Sequence, residues 1–254
     1  MNANTKHLLK WYAVGVFFGG LVLFGLIAAV RRGEYLPAIV VPVVIGIVAL
    51  IMHRARSKAL LLFREPTPDR AIAYYHSSMQ QIPTGRAMAA YLSAFAAVHY
   101  GQFDRAREEL AAVNWTSLPP MYQGFETSVH SLLAILEAKD YSRALGLAEE
   151  ARDLCSVPGA FPGGKTSRAT LESIVDVCEL LTGQGSPELV DRVRAAVKAL
   201  PGISPAVPAW ALSVYYQKLG QDAVAAEYSA VVRRLVPHST CLDELRPAIS
   251  ATVG

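Results

Sequence analysis

One stretch of this sequence matches a phosphate-binding motif in residue type and spacing, namely residues 159–166, GAFPGGKT. It fits the pattern GxxxxGK[ST], with Gly159, Gly164, Lys165 and Thr166 at the defining positions. In a working phosphate loop a strand delivers the glycines and a helix N-terminus receives the phosphates, while the lysine reaches the terminal phosphates and the hydroxyl reaches Mg²⁺. Nucleotide binding is therefore one hypothesis for this chain.

The residues around the loop favour another interpretation. The preceding residues 144–155 have helical periodicity, and no apolar strand ending in Asp follows to hold the metal. Loops rich in Pro and Gly between helical hairpins produce such strings easily. We therefore expect the match to be accidental. A weaker alternative is an anion held by Lys165 at the N-terminus of a helix that begins near Thr166.

The cysteines and histidines form no pattern typical of a metal or catalytic site. Cys155, Cys178 and Cys241 are widely spaced and include no CxxC pair, and the six histidines are scattered without an HExxH motif. We expect reduced structural thiols, no metal, no cofactor and no enzymatic activity.

Two uncharged apolar runs near the N-terminus predict a transmembrane helical hairpin. Residues 11–30 would form a helix of about 30 Å, the thickness of the bilayer core. Residues 35–52 form a second run that predicts a helix over about 35–53, in which Pro42 is tolerated because lipid-embedded helices accommodate proline. A cleaved signal peptide and a buried soluble helix fit less well, because the first run is too long and the second has no polar face.

Basic residues set the expected orientation. Six Lys and Arg flank the hairpin on its outer sides, at Lys6, Lys10, Arg54, Arg56, Lys58 and Arg64, against two in the turn. The positive-inside rule then places both termini in the cytoplasm, and the cluster after the hairpin would attract anionic membrane lipid. The Ala-rich composition and the lack of organelle signals suggest a bacterial inner membrane.

Charge also divides the chain into two parts. Residues 1–64, the predicted membrane anchor, carry a net charge of +7, whereas residues 65–254 carry −4. An acidic domain is a poor partner for nucleic acid. Within the anchor, Gly15 and Gly19 have GxxxG spacing, which would let two helix backbones approach closely, either inside one hairpin or in a homodimer.

Residues 65–254 predict an all-α domain in which a pattern recurs. Helical runs alternate with breaks at Pro and Gly, and no stretch alternates as a strand does. Five times, a residue that is usually small is followed by a Pro. The first residues of these pairs are 35, 38, 45 and 36 positions apart. The pairs are Ala71 with Pro83, Ala106 with Pro119, Ala144 with Pro158, Leu189 with Pro201, and Ala225 with Pro237.

This pattern resembles the tetratricopeptide repeat, a helix-turn-helix unit of about 34 residues. The best matches are Ala94, Gly101, Phe103 and Ala106 in one repeat, and Ser213, Tyr216, Gly220, Ala225 and Pro237 in another. Departures from the pattern are Leu132, Lys139, Val177 and Leu189, although Ser186 and Pro187 still predict a helix start. The resemblance implies an α-solenoid, in which small residues mark the crossing of two helices.

The resemblance also implies a docking function. In the family the first helix of each hairpin lines a concave face, and the matching positions here are Tyr91, Phe95, Val129, Leu133, Ile174, Cys178, Trp210 and Val214. Because this lining is apolar, we expect a membrane-anchored scaffold or adaptor that binds an apolar or amphipathic protein segment, with Tyr91 and Trp210 as hot spots. The alternatives are an accessory subunit of a membrane complex, or a nucleotide-binding protein. Several of these side chains could instead belong to the core between repeats.

Overall fold

The computed structural model describes residues 46, 61–80, 84–156, 164–183 and 185–242. The chain separates into two compact units, Met1–Ser57 and Lys58–Gly254. Apart from Gly46, both predicted membrane helices lie outside the described residues. Within the described part, no helix has the length and apolar character needed to cross a bilayer.

Over its described residues the second unit is entirely helical, which confirms the predicted all-α class. Short turns connect the helices, and the chain also forms a 3₁₀ turn at Trp115–Ser117 and a π-helical segment at Ala134–Ala138. The α-helices of this part are α1 Asp69–Met79, α2 Gly85–His99, α3 Phe103–Ala111, α4 Pro120–Leu133, α5 Tyr141–Cys155, α6 Gly164–Leu181, α7 Pro187–Ala199, α8 Ala206–Lys218 and α9 Asp222–Leu235.

The helices pack as consecutive hairpins. The pairs α2 with α3, α4 with α5, α6 with α7, and α8 with α9 are in direct contact, and α1 packs on α2. The first helix of each hairpin also touches the first helix of the next one, and α5 and α7 contact the helices that follow them. Most of the extensive contacts are thus between neighbouring units, which is characteristic of an α-solenoid.

Small residues lie at the helix crossings, as the sequence predicted. Ala94 on α2 and Ala106 on α3 are fully buried, and so is Ala144 on α5. A larger side chain at these positions would push the two helix backbones of a hairpin apart. Val177 and Leu189, which replace small residues of the repeat pattern, are also buried. The third hairpin therefore packs through larger apolar residues.

The same hydrogen bond closes two of the hairpins. The Ser131 hydroxyl on α4 donates to the carbonyl oxygen of Ala144 at 2.8 Å, and the Ser213 hydroxyl on α8 donates to the carbonyl oxygen of Ala225 at 2.9 Å. Both serines are buried, so each bond satisfies a polar group that would otherwise be costly to bury. This repeated contact is an independent sign of a repeating unit.

Each hairpin turns through a residue with positive φ. Gly101, Gly183 and Gly220 have φ of 75°, 91° and 68°, and Lys139 takes the corresponding place with φ of 55°. The π-helical segment Ala134–Ala138 ends at this lysine. Only glycine adopts this region without steric cost, so the second hairpin carries local backbone strain that the others avoid.

The third hairpin begins its second helix where the sequence predicted. The Ser186 hydroxyl caps α7 by accepting a hydrogen bond from the backbone N–H of Leu189 at 3.2 Å, and Pro187 occupies the first helical position. Pro costs nothing there because its missing N–H would have no helical partner.

The last described residues return to the first hairpin. The Thr240 hydroxyl donates to the carbonyl oxygen of Tyr100 at 3.1 Å, and the Cys241 thiol donates to the carbonyl oxygen of Val98 at 3.4 Å. A Cβ at Gly101 would lie 2.3 Å from Thr240 Oγ1, so glycine is required by this contact as well as by its backbone conformation. The segment after α9 therefore covers the end of α2.

Candidate functional site

The residues predicted to line a groove all lie on the first helices of the four hairpins, but most are not exposed. Tyr91, Phe95 and Val214 are half-buried. The other five are buried members of the hydrophobic core, namely Val129, Leu133, Ile174, Cys178 and Trp210. In this conformation a partner can reach only the half-buried side chains.

The two aromatic residues proposed as hot spots pack against neighbouring repeats. Tyr91 on α2 stacks on Phe125 of α4, with ring centroids 4.8 Å apart. Trp210 on α8 is 2 % exposed, and the Lys139 ammonium lies 5.4 Å from its ring centroid. These contacts join separate repeats, so replacing both Tyr91 and Trp210 by alanine is expected to destabilise the domain.

The phosphate-loop match lies mostly outside the described residues. The described residues do not include 157–163, and hence not Gly159. Gly164, Lys165 and Thr166 form the first residues of α6. The element before the loop is the helix α5, where a phosphate loop would follow a strand. The local setting is thus helical on both sides, and the absence of nucleotide binding stays a prediction.

Two of the described thiols, Cys155 and Cys178, are poorly suited to nucleophilic chemistry. Burial raises the pKa of Cys155 to about 11 and that of Cys178 to about 12, so both are protonated at neutral pH. No three His, Cys, Asp or Glu side chains of the described residues are grouped so as to hold a metal ion.

His99, at the end of α2, is a fully buried ionisable residue. Its Nδ1 lies 2.8 Å from the carbonyl oxygen of Phe95, while Nε2 has no hydrogen-bond partner among the described residues. Burial lowers its pKa to about 4, and the hydrogen bond to Phe95 offsets only part of this effect. His99 is therefore neutral in the folded protein at physiological pH.

We expect His99 to make the folded state sensitive to acid. An unfolded histidine takes up a proton near pH 6.5, whereas the folded one does so only near pH 4. Stability should therefore decline as the pH falls from 6.5, reaching a loss of roughly 3 kcal/mol at pH 4. Urea unfolding of the full chain in mild detergent at pH 7.5 and pH 5, compared with His99→Leu, measures this effect. If both proteins lose the same stability, His99 is not the cause.

A surface pocket of about 210 Å³ lies where α3 meets the end of α4 and the start of α5. Its lining combines two arginines, a histidine and a glutamate with a leucine and two alanines. The lining residues are Arg107, His130, Leu133, Ala134, Glu137, Ala138 and Arg143. We call it the Arg143 pocket.

The charges of this pocket are unevenly paired. Arg107 donates to the carboxylates of Glu137 and Asp104. Arg143 is exposed, and no carboxylate among the described residues forms an ion pair with its guanidinium. Burial, together with the nearby cations Arg143 and Arg107, lowers the pKa of His130. Within the described part of the chain, the Arg143 guanidinium is therefore a positive charge of this pocket with no carboxylate partner.

A second pocket, also of about 210 Å³, lies between the start of α2 and the end of α3. Its arginine, Arg86, already donates to the carbonyl oxygen of Ala112 at 2.9 Å. Part of the donor capacity of the Arg86 guanidinium is therefore already used by the backbone.

The Arg143 pocket could not be predicted from the sequence, because its charged residues lie on separate elements. Arginines on solvated helix faces are common, and nothing in their spacing indicates that Arg107 and Arg143 converge. The one signal was Lys139, a non-glycine residue at a turn that favours glycine, since strained backbone often accompanies functional sites.

Comparison with known proteins adds no relative. A scan against protein-family models finds no matching family, and searches of curated proteins and of solved structures find no significant similarity.

Proposed function

We propose that this protein is a membrane-anchored scaffold that docks a protein partner through tetratricopeptide-like repeats on the cytoplasmic side. The observation that supports it best is the stacking of four helical hairpins, each with a positive-φ turn and three of them with small buried residues at the helix crossing. Solenoids of this type present extended surfaces and are commonly used for protein recognition. The apolar runs at residues 11–30 and 35–52 supply the proposed anchor.

The partner would contact the surface formed by the half-buried residues of the first helices. Tyr91 and Phe95 on α2 and Val214 on α8 combine partial exposure with apolar character. An amphipathic segment could bury its apolar face there. Val214→Glu should weaken capture of the partner by the full chain from solubilised membranes, whereas Arg233→Glu, on an exposed position of α9, should not. Equal capture by both variants would place the docking surface elsewhere.

The anchor is tested by its location and orientation. The full chain should stay in the membrane pellet after alkaline carbonate extraction, and release into the supernatant would contradict the anchor. With both termini in the cytoplasm, Gly33→Cys should react with an impermeant thiol reagent added outside intact cells. Cys241 is buried and would not report. The cytoplasmic reporter is therefore Lys218→Cys, whose exposed position on α8 should be labelled only after lysis.

A further inference from the structure

The Arg143 pocket is shaped by an irregularity of the second hairpin. At the end of α4 the chain widens into the π-helical segment Ala134–Ala138, and Lys139 then takes a positive φ. The backbone N–H of Asp140 donates to the carbonyl oxygen of Ala134 at 3.0 Å, which closes this wide turn. Because Ala134 and Ala138 carry only methyl groups, they leave space beside the charged side chains. Such π-helical bulges occur frequently at functional sites.

The charged groups around the pocket leave room for an anion. On α3, Arg107 is shared between Asp104 and Glu137. On α4, the carboxylate of Glu126 lies 3.8 Å from His130 Nε2 and forms an ion pair with it when the histidine is protonated. On α5, Arg143 extends to solvent, and its backbone N–H rather than its side chain bonds to Asp140. The Arg143 guanidinium therefore lines the cavity with donor capacity to spare, and the His130 imidazole lines it as well.

We propose that the Arg143 pocket binds a carboxylate of the docked partner, with the Arg143 guanidinium as the main donor and His130 beside it. This inference rests on the proposed docking function and adds a polar contact to the apolar surface. Arginine binds carboxylates through two parallel N–H donors, and the partly buried position of His130 strengthens the interaction by excluding water. A cavity of about 210 Å³ exceeds one carboxylate group, so it accommodates the side chain of a Glu or Asp residue.

The direct test is a titration of the full chain with two matched peptides, N-acetyl-Gly-Gly-Glu amide and N-acetyl-Gly-Gly-Gln amide. The readout is the nuclear magnetic resonance signal of the His130 ring, followed as a function of pH. A bound carboxylate stabilises the imidazolium, so the Glu peptide should raise the pKa of His130 saturably, whereas the Gln peptide should leave it unchanged. Sodium chloride at equal ionic strength controls for screening.

Variants locate the binding site. Arg143→Gln should weaken binding of the Glu peptide about tenfold, because a charge-assisted hydrogen bond is lost. Arg143 is exposed and not engaged in an ion pair, so this variant should keep the helical circular-dichroism signal. Arg233→Gln on α9 is the matched control and should bind normally.

Three outcomes would overturn the proposal: equal responses to the Glu and Gln peptides, a response to inorganic phosphate with none to the Glu peptide, or unchanged binding by Arg143→Gln. The titration does not use the partner. If the Arg143 pocket does not bind the Glu peptide, while capture of the partner still depends on Val214, only the carboxylate site is wrong. If the pocket binds the Glu peptide but no partner is captured, the docking function is wrong.

Discussion

Replacing Trp210 by alanine is expected to lower the free energy of unfolding by about 3–5 kcal/mol, the usual cost of removing a large buried aromatic side chain. The indole is 2 % exposed, and Lys139 of another hairpin lies 5.4 Å from its ring centroid. The substitution thus leaves a cavity beside α8 and removes the contact of Trp210 with Lys139, which joins two hairpins. Urea unfolding of the full chain in mild detergent, followed by circular dichroism, measures the loss.

Leu219→Ala is the matched control for this experiment. Leu219 follows α8 directly and is 53 % exposed, so its truncation should change stability by less than about 0.5 kcal/mol. A loss below about 1 kcal/mol for Trp210→Ala would mean that the indole is accessible in solution. Such a result would restore the groove that the sequence predicted.

Two glycine-to-alanine substitutions should have effects of opposite sign. A Cβ at Gly124 on α4 would lie 2.6 Å from Cys155 Sγ and 2.9 Å from the carbonyl oxygen of Ala151 on α5. Because the backbone oxygen cannot rotate away, Gly124→Ala should separate α4 from α5 and cost about 2 kcal/mol. At Gly146, within α5, the added Cβ would have no atom within 4 Å beyond the adjacent residues and the nearby backbone of its own helix. Gly146→Ala should therefore stabilise the domain by about 0.5–1 kcal/mol.

The same unfolding measurement tests this pair, and Cys155→Ala refines it. Removing Sγ relieves one of the two close contacts, so Gly124→Ala combined with Cys155→Ala should lose less stability than the sum of the separate losses. If Gly124→Ala stabilises the domain as Gly146→Ala is expected to do, then α4 and α5 do not approach each other closely at Gly124 and Ala151.

The sequence predicted the helical hairpins because their signals are local. Ser186 and Pro187 start α7 through a hydrogen-bonded cap, and the turn residues Gly101 and Gly220 take positive φ. Each depends on residues a few positions apart, which a single sequence reveals. The buried crossings at Ala94 and Ala106 were likewise predictable, since only small residues allow the backbones to approach.

The candidate sites were harder to predict because burial depends on the whole array. An apolar residue on the first helix of a hairpin faces either a groove or the next repeat, and its type does not distinguish the two. Val129 and Cys178 are fully buried, whereas Val214 keeps part of its surface. The Arg143 pocket depends on α3, α4 and α5 meeting at one place, for which single-sequence periodicity carries no signal.

According to the scaffold proposal, the repeats, rather than the membrane helices, recognise the partner. The most direct test replaces residues 1–57 by an unrelated two-helix membrane hairpin of the same orientation and compares partner capture from solubilised native membranes by the wild-type and exchanged chains. The scaffold proposal predicts that the exchanged chain captures the same partner to the same extent, and that Val214→Glu in this chain lowers capture. Loss of the partner on exchanging the hairpin alone would contradict the proposal and would make this protein an accessory subunit held by its membrane helices.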